Sequence, residues 1–144
     1  MKKLYVTRGL PASGKSTWAL NQAEVFKDTV IINRDKIRDM LKGSYKFFPF
    51  GSRMEELVTE IEDRAIDKAL MMNYNVIVDA TNFRWTEDKL YHYESKFQCK
   101  AEFVDFTHLS LKTCIQRDQQ RENSVGKKVI ERMYNKYLKK DEKV

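Results

Sequence analysis

A chain of 144 residues, 42% of them hydrophobic, is long enough to bury one core, and it reads as a single domain over residues 1–144. No apolar run approaches the ~18 residues that cross a bilayer, and the N-terminal lysines are followed by neither a long apolar stretch nor a small-residue cleavage site. The expectation is a cytoplasmic protein with no membrane partner. The formal net charge of +6 favours an anionic partner, although a nucleotide alone accounts for part of it. Cys99 and Cys114 lack metal-ligand spacing and read as reduced, buried side chains, while His92 and His108 show no ligand pattern.

Taken in order, Lys3 to Arg8 is a short β-rich strand (Leu4, Tyr5, Val6, Thr7), expected to start the fold with no domain before it. Gly9-Leu10-Pro11-Ala12-Ser13-Gly14-Lys15-Ser16-Thr17 follows and fits G-x-x-x-x-G-K-[ST], the phosphate-binding P-loop. Gly9 and Gly14 let the backbone curl so that successive N–H groups, with Ser13 among them, face a phosphate chain. Lys15 is expected to reach the β- and γ-phosphates of ATP or another nucleoside triphosphate, and Ser16 to help hold Mg²⁺. Thr17 is expected to open a helix running to Phe26, its positive dipole end toward the same phosphates.

Thr29 to Asn33 is a second apolar strand, and Arg34 to Leu41 a helix stopped at Lys42-Gly43-Ser44. Tyr45 to Phe50 is an aromatic loop. Tyr45, Phe47, Phe48 and Phe50, interleaved with Lys46, suit either a stacking platform for a base or a fastening of the loop to the core. Ser52 with Glu55 reads as a capping box for a long helix to about Met72, with Met54, Leu57, Val58, Ile61, Ala65 and Ala69 at helical spacing. Asn75 to Asp79 is the third strand and Thr86 to Phe97 the next helix. Ala101 to Phe106 is the fourth strand, followed by a helix from Leu109 to about Arg121 and a polar turn, Glu122 to Gly126. A last helix to about Lys140 buries Ile130, Met133, Tyr134, Tyr137 and Leu138.

Strands alternating with helices predict an α/β fold, a parallel sheet of about four strands covered on both faces. Right-handed crossovers gather the strands' C-terminal ends on one rim, where such sheets bind ligands. The polar residues closing the strands are therefore candidates for one site. Asp35 and Arg38, three apart on a helix, suit a carboxylate that takes an acceptor hydroxyl's proton and a cation that fixes the acceptor; a helix cap and a surface ion pair are the alternative. Asp79 stands where a Walker-B carboxylate positions Mg²⁺, or orients the acceptor. Thr81 and Asn82 suit either acceptor contact or a turn. Arg117 and Arg121, one helical turn apart beside the polar turn, suit a lid over the γ-phosphate, or a solvated face paired with Asp118 or Glu122.

Together these residues carry a resemblance. GLPASGKSTW after the opening strand, INRDKIR at Ile32 to Arg38, DATN at Asp79 to Asn82, Arg117 and Arg121, and ERMYNKY in the last helix resemble the kinase domain of bacteriophage polynucleotide 5′-hydroxyl kinases of the T-even type. The resemblance covers nearly the whole chain; Lys42 to Asn73 matches least, and acceptor preference stays open there. It implies an ATP- and Mg²⁺-dependent kinase acting on the 5′-hydroxyl ends of RNA or DNA. Asp35 would be the general base, Arg38 (with Arg34 beside it) the grip on the neighbouring 3′-phosphate, Asp79 an organiser of the acceptor site, and Arg121 a contact to the transferring phosphate. Better-known members continue into a phosphatase domain, and none is expected here. The alternatives are a P-loop kinase for another hydroxyl (a nucleoside, a modified DNA base or a small metabolite) and a nucleotide-binding switch that transfers nothing.

Overall fold

Apolar β-branched runs too short for helices pair here as strands, and the amphipathic stretches between them cross back over the sheet. The computed structural model describes residues 1–139. In order they form β1 (Lys3–Arg8), α1 (Lys15–Val25), β2 (Thr29–Asn33), α2 (Arg34–Leu41), α3 (Ser52–Met71), β3 (Asn75–Asp79), α4 (Glu87–Phe97), β4 (Lys100–Asp105), α5 (Leu111–Gln119) and α6 (Lys127–Tyr137). The strands lie in the order β2-β3-β1-β4, every pair parallel. This is the α/β fold of P-loop kinases.

Because side chains alternate along a strand, each face of the sheet recruits its own cover. Leu4, Val6, Ile32, Val76 and Val78 pack on Val58, Ile66 and Leu70 of α3 and on Leu90, Tyr93 and Phe97 of α4. Rings stack along this layer, Trp85 on Tyr93 at 5.7 Å and Tyr93 on Phe97 at 5.8 Å between centroids. On the opposite face α1 brings Trp18 edge-on to Tyr5 at 5.6 Å. A second cluster joins Leu10 of the P-loop to Cys114 of α5 and Ile130 of α6, with Met133, Tyr134 and Leu138 packed against it. That cluster fixes α5, and with it Arg117, against the phosphate loop.

Several expected boundaries move. α1 opens at Lys15 rather than Thr17, because Gly14 in a left-handed conformation (φ 101°) turns the chain straight into the helix. The capping box at Ser52 does not form: Gly51 is the N-cap, no side chain caps α3, and Glu55 turns to two arginines instead. α3 buries most of its expected apolar face, Val58 fully and Ile61, Ala65 and Ala69 partly, but its deepest line runs beside that set. Val58, Glu62, Ile66 and Leu70 face inward at four-residue spacing while Leu57 is exposed. β4 opens at Lys100 and ends at Asp105. α5 begins at Leu111, where Ser110 Oγ accepts from the Thr113 N–H at 3.1 Å. α6 ends at Tyr137; Lys140, the expected helix end, lies outside the described residues. Its inward face is also shallower than expected, with Ile130 fully buried and Met133, Tyr134, Tyr137 and Leu138 partly so.

Candidate active site

All four strands end on one rim, and an open cleft of about 1510 Å³ lies there. The P-loop forms one wall. Gly9 leaves no room for a side chain at its place in the turn unless its neighbours shift: a Cβ there would stand 2.9 Å from both Phe106 Cβ and Ser13 Oγ. Ala12, like Gly14, is left-handed (φ 62°), the backbone alternation from which anion-binding loops are built. Lys15 is buried, its Nζ donating to the Leu10 carbonyl at 2.6 Å and to Ser13 Oγ at 3.3 Å. Burial pushes its pKa down to about 8, against the pull of Asp79. Thr17, one step along the helix from Ser16, lines the cleft and is exposed.

Asp79 closes β3 in register with Asn33 of β2, which puts both beside the P-loop helix. Ser16 Oγ donates to Asp79 Oδ2 at 2.8 Å, and Asn33 Nδ2 donates to the same oxygen at 3.0 Å. The hydroxyl and carboxylate thus meet across the sheet as a pair of hard oxygen donors. Asn33 also serves the next helix. Its Oδ1 accepts from the Lys36 N–H at 3.0 Å and caps α2, so the helix cap is Asn33 and not Asp35.

α2 and α3 form the other wall. Arg38 lays its guanidinium fork on Glu55, Nε to Oε1 and Nη2 to Oε2, each at 2.9 Å, and Nη1 donates to Asp35 Oδ1 at 2.9 Å. Burial works against the Arg38 charge, but Glu55 and Asp35 outweigh it and raise its pKa. Those same bonds, Arg38 first, hold the Glu55 carboxyl below the usual range. Asp35 itself is 85% exposed and faces the cleft from the first turn of α2. Arg34 continues the chain of charges, donating to Glu55 Oε2 and Thr59 Oγ1 at 3.1 Å and standing 3.4 Å from Glu62 Oε1.

The remaining residues differ in where they point. Thr81 lines the cleft, and its carbonyl accepts from the Gly9 N–H at 3.3 Å. Asn82, buried and left-handed (φ 50°), commits its amide to the Thr7, Val78 and Ala80 carbonyls at 2.8–3.2 Å, which locks the turn after β3. Arg117 and Arg121 both line the cleft. Arg121 Nη2 donates to Asp118 Oδ1 at 2.6 Å, and the buried Asp118 carboxylate also accepts from the Val125 and Gly126 N–H groups. Burial alone would raise the Asp118 pKa; these donors outweigh it and hold the carboxyl below its usual range. The aromatic loop contributes nothing to this cleft's lining. Tyr45, Phe47 and Phe50 are exposed, and Phe48 packs against the core.

Of the acidic residues in the cleft region, only Glu62 carried no individual assignment in the sequence; Glu55 was expected in a capping box and instead meets Arg34 and Arg38, and Asp118, named as a partner for the two arginines, does pair with Arg121. The signal for Glu62 was faint. Glu55, Thr59 and Glu62 fall at i, i+4 and i+7, one polar stripe on α3 beside its apolar one.

The fold and the glycine loop define the class, a P-loop nucleotide-binding domain of the kinase type. Residues 4–140 match the AAA_33 family, an AAA domain, and the chain belongs to it. An L-seryl-tRNA(Sec) kinase of Methanococcus maripaludis is 27% identical over 139 residues, a match spanning 93% of this chain and 52% of that protein. Among solved structures, a chain of the Pnkp1/Rnl/Hen1 RNA repair complex superposes with a TM-score of 0.77 at 28% identity, covering 94% of this chain and 44% of that one. A gluconokinase from Sinorhizobium meliloti 1021, at 16% identity and a TM-score of 0.60 over 99% of this chain and 78% of its own, shares the fold alone. The chain thus spans about half the length of the kinase and the repair-complex chain it matches.

Proposed function

We propose that this domain transfers the γ-phosphate of ATP, or another nucleoside triphosphate, to the 5′-hydroxyl end of RNA or DNA. The observation that carries the reading is the Asp35–Arg38–Glu55 constellation, one exposed carboxylate and one oriented guanidinium in the same cleft as the P-loop. The likeness to a chain of an RNA repair complex supports it.

In this mechanism the amides at Gly9 to Thr17 and the Lys15 ammonium hold the triphosphate. Ser16 Oγ and Asp79 would hold Mg²⁺, an all-oxygen donor set of the kind that ion takes, and the ion would neutralise charge on the β- and γ-phosphates. Asp35 accepts the proton of the acceptor's 5′-hydroxyl as its oxygen attacks the γ-phosphorus, the bond to the β,γ-bridging oxygen breaks and the nucleoside diphosphate leaves. Arg38, aimed by Glu55, keeps a second hydrogen on Nη1 and on Nη2, and these grip the phosphate 3′ to the terminal nucleoside. Arg34 and Thr81 border that acceptor, and Asn82 keeps the turn carrying Thr81 in place. Arg117 from α5 and Arg121 from the turn just after it approach the transferring group as a lid, where their charge stabilises its equatorial oxygens.

A second reading, a kinase for the seryl hydroxyl of an aminoacylated tRNA, is favoured by the seryl-tRNA kinase relative. Labelled ATP offered with 5′-hydroxyl oligonucleotides, seryl-tRNA, plain nucleosides, gluconate and the protein alone separates these. Label on the oligonucleotide end is the expected result. Label on seryl-tRNA only would transfer the assignment to the second reading.

A further inference from the structure

We propose that Glu62 is a specificity-determining residue of the acceptor site, its second carboxylate oxygen, occluded in this structure, turning toward the cleft to take a hydrogen bond from an N–H or O–H donor on the acceptor's terminal nucleoside. The inference rests on the polynucleotide reading above. Glu62 is 2% exposed, yet it lines the cleft. Its Oε1 stands 3.4 Å from Arg34 Nη1, while its Oε2 is buried with no hydrogen-bond partner among the described residues. A buried carboxylate oxygen left unpaired is destabilising, and buried polar groups are otherwise almost always satisfied. The position sits on the apolar line Val58–Ile66–Leu70, where a leucine would pack at no electrostatic penalty. Burial pushes its carboxyl pKa up, with Arg34 and Lys89 opposing.

The chemistry of the partner follows from the sign of the charge. A carboxylate repels phosphate, so what reaches Oε2 is a neutral donor: a base amino or imino group, or a sugar hydroxyl. Arg34 spans from Glu62 to Glu55, the residue that aims Arg38, so the donor pocket adjoins the phosphate grip. Trp85 and Lys89 also line the cleft, with the ammonium 3.9 Å over an indole that is itself buried against Tyr93, so the surround they offer is cationic.

The test measures kcat/KM on 5′-hydroxyl dinucleotides that differ in terminal base (A, C, G or U) and, separately, in ribose against deoxyribose. Wild type, Glu62→Gln and Glu62→Met are compared, the last keeping bulk without a donor or acceptor. Wild type is expected to prefer one class by about ten- to a hundredfold. Glu62→Met should flatten that preference by slowing the preferred acceptor, and Glu62→Gln, which keeps one acceptor oxygen without the charge, should flatten it less, with melting temperature unchanged or raised in both. A preference among bases assigns the donor to the base edge, and a preference for ribose assigns it to the 2′-hydroxyl. No preference in wild type, or variants that slow every acceptor equally, overturns the inference while leaving the polynucleotide reading intact. If wild type phosphorylates none of these acceptors, that reading fails and this inference with it.

Discussion

The two walls of the cleft are built from different materials. The phosphate wall is backbone: glycine conformations, a helix start and one buried lysine held by the loop's own oxygens. The wall proposed to take the acceptor is long side chains already paired with one another, in the order Asp35, Arg38, Glu55, Arg34, Glu62. A backbone nest is set by the fold and offers the same surface to any triphosphate. A chain of ion pairs is aimed only as well as its neighbours aim it, so a truncation at Glu55, in the middle of the row, should misaim Arg38, while Arg34 keeps Glu55 and Thr59 when Glu62 changes. Donor recognition should therefore respond to single changes on the loop, and acceptor recognition to changes several residues away from the acceptor.

The largest effect expected on the phosphate wall is that of Lys15→Ala. It removes a buried charge from the β/γ-phosphates, and turnover should fall roughly a thousandfold with the fold retained, as read by circular dichroism beside the kinase assay. On the acceptor wall, Asp35→Asn keeps shape but not proton acceptance. Its kcat should fall by about a hundredfold or more while acceptor KM hardly moves, which steady-state kinetics against acceptor concentration would reveal.

Asp118→Asn probes the junction between the walls. The side-chain amide loses the charge that holds Arg121 and keeps only one acceptor oxygen, setting an NH2 group against one of the two turn amides, so kcat should drop about tenfold and stability by about 1–3 kcal/mol at neutral pH. The folded-state pKa of Asp118 is lowered, so its stabilisation is complete above the ordinary carboxylate range and is lost as pH falls through the lower folded value. Denaturant titrations should show wild type and variant converging in acid. The smallest effect has the opposite sign. Glu62 has a raised pKa, so its contribution is fully present in acid, below the ordinary range, and is lost as pH rises through the folded value. Glu62→Gln should equal wild type in acid and match or exceed it by about 1 kcal/mol at neutral pH, measured by the same titrations.

The same contrast explains what the sequence disclosed. The P-loop, the four strands and Asp79 at the end of β3 were legible because glycine spacing and β-branched runs are local codes. Asp35 and Arg38 were legible as a pair one turn apart. Glu55 was not, because Ser52-x-x-Glu55 is also a capping signature, and only the packing of α2 against α3 sends that carboxylate to the arginines. Glu62 hid on a line otherwise apolar. Asn82 was ambiguous by composition, and the turn claimed it because its amide has three backbone carbonyls within reach. Local chemistry was readable; partnership across helices was not.

The central claim is that Arg38, oriented by Glu55, reads a phosphate next to the hydroxyl that receives the γ-phosphate. The direct measurement is kcat/KM for a nucleoside 3′-monophosphate and for the plain nucleoside, with wild type and Arg38→Ala. The charge-assisted contact should favour the monophosphate by about ten- to a hundredfold in wild type, and Arg38→Ala should bring the two acceptors close together. Equal values for both acceptors in wild type, or a preference for the plain nucleoside, would contradict the account.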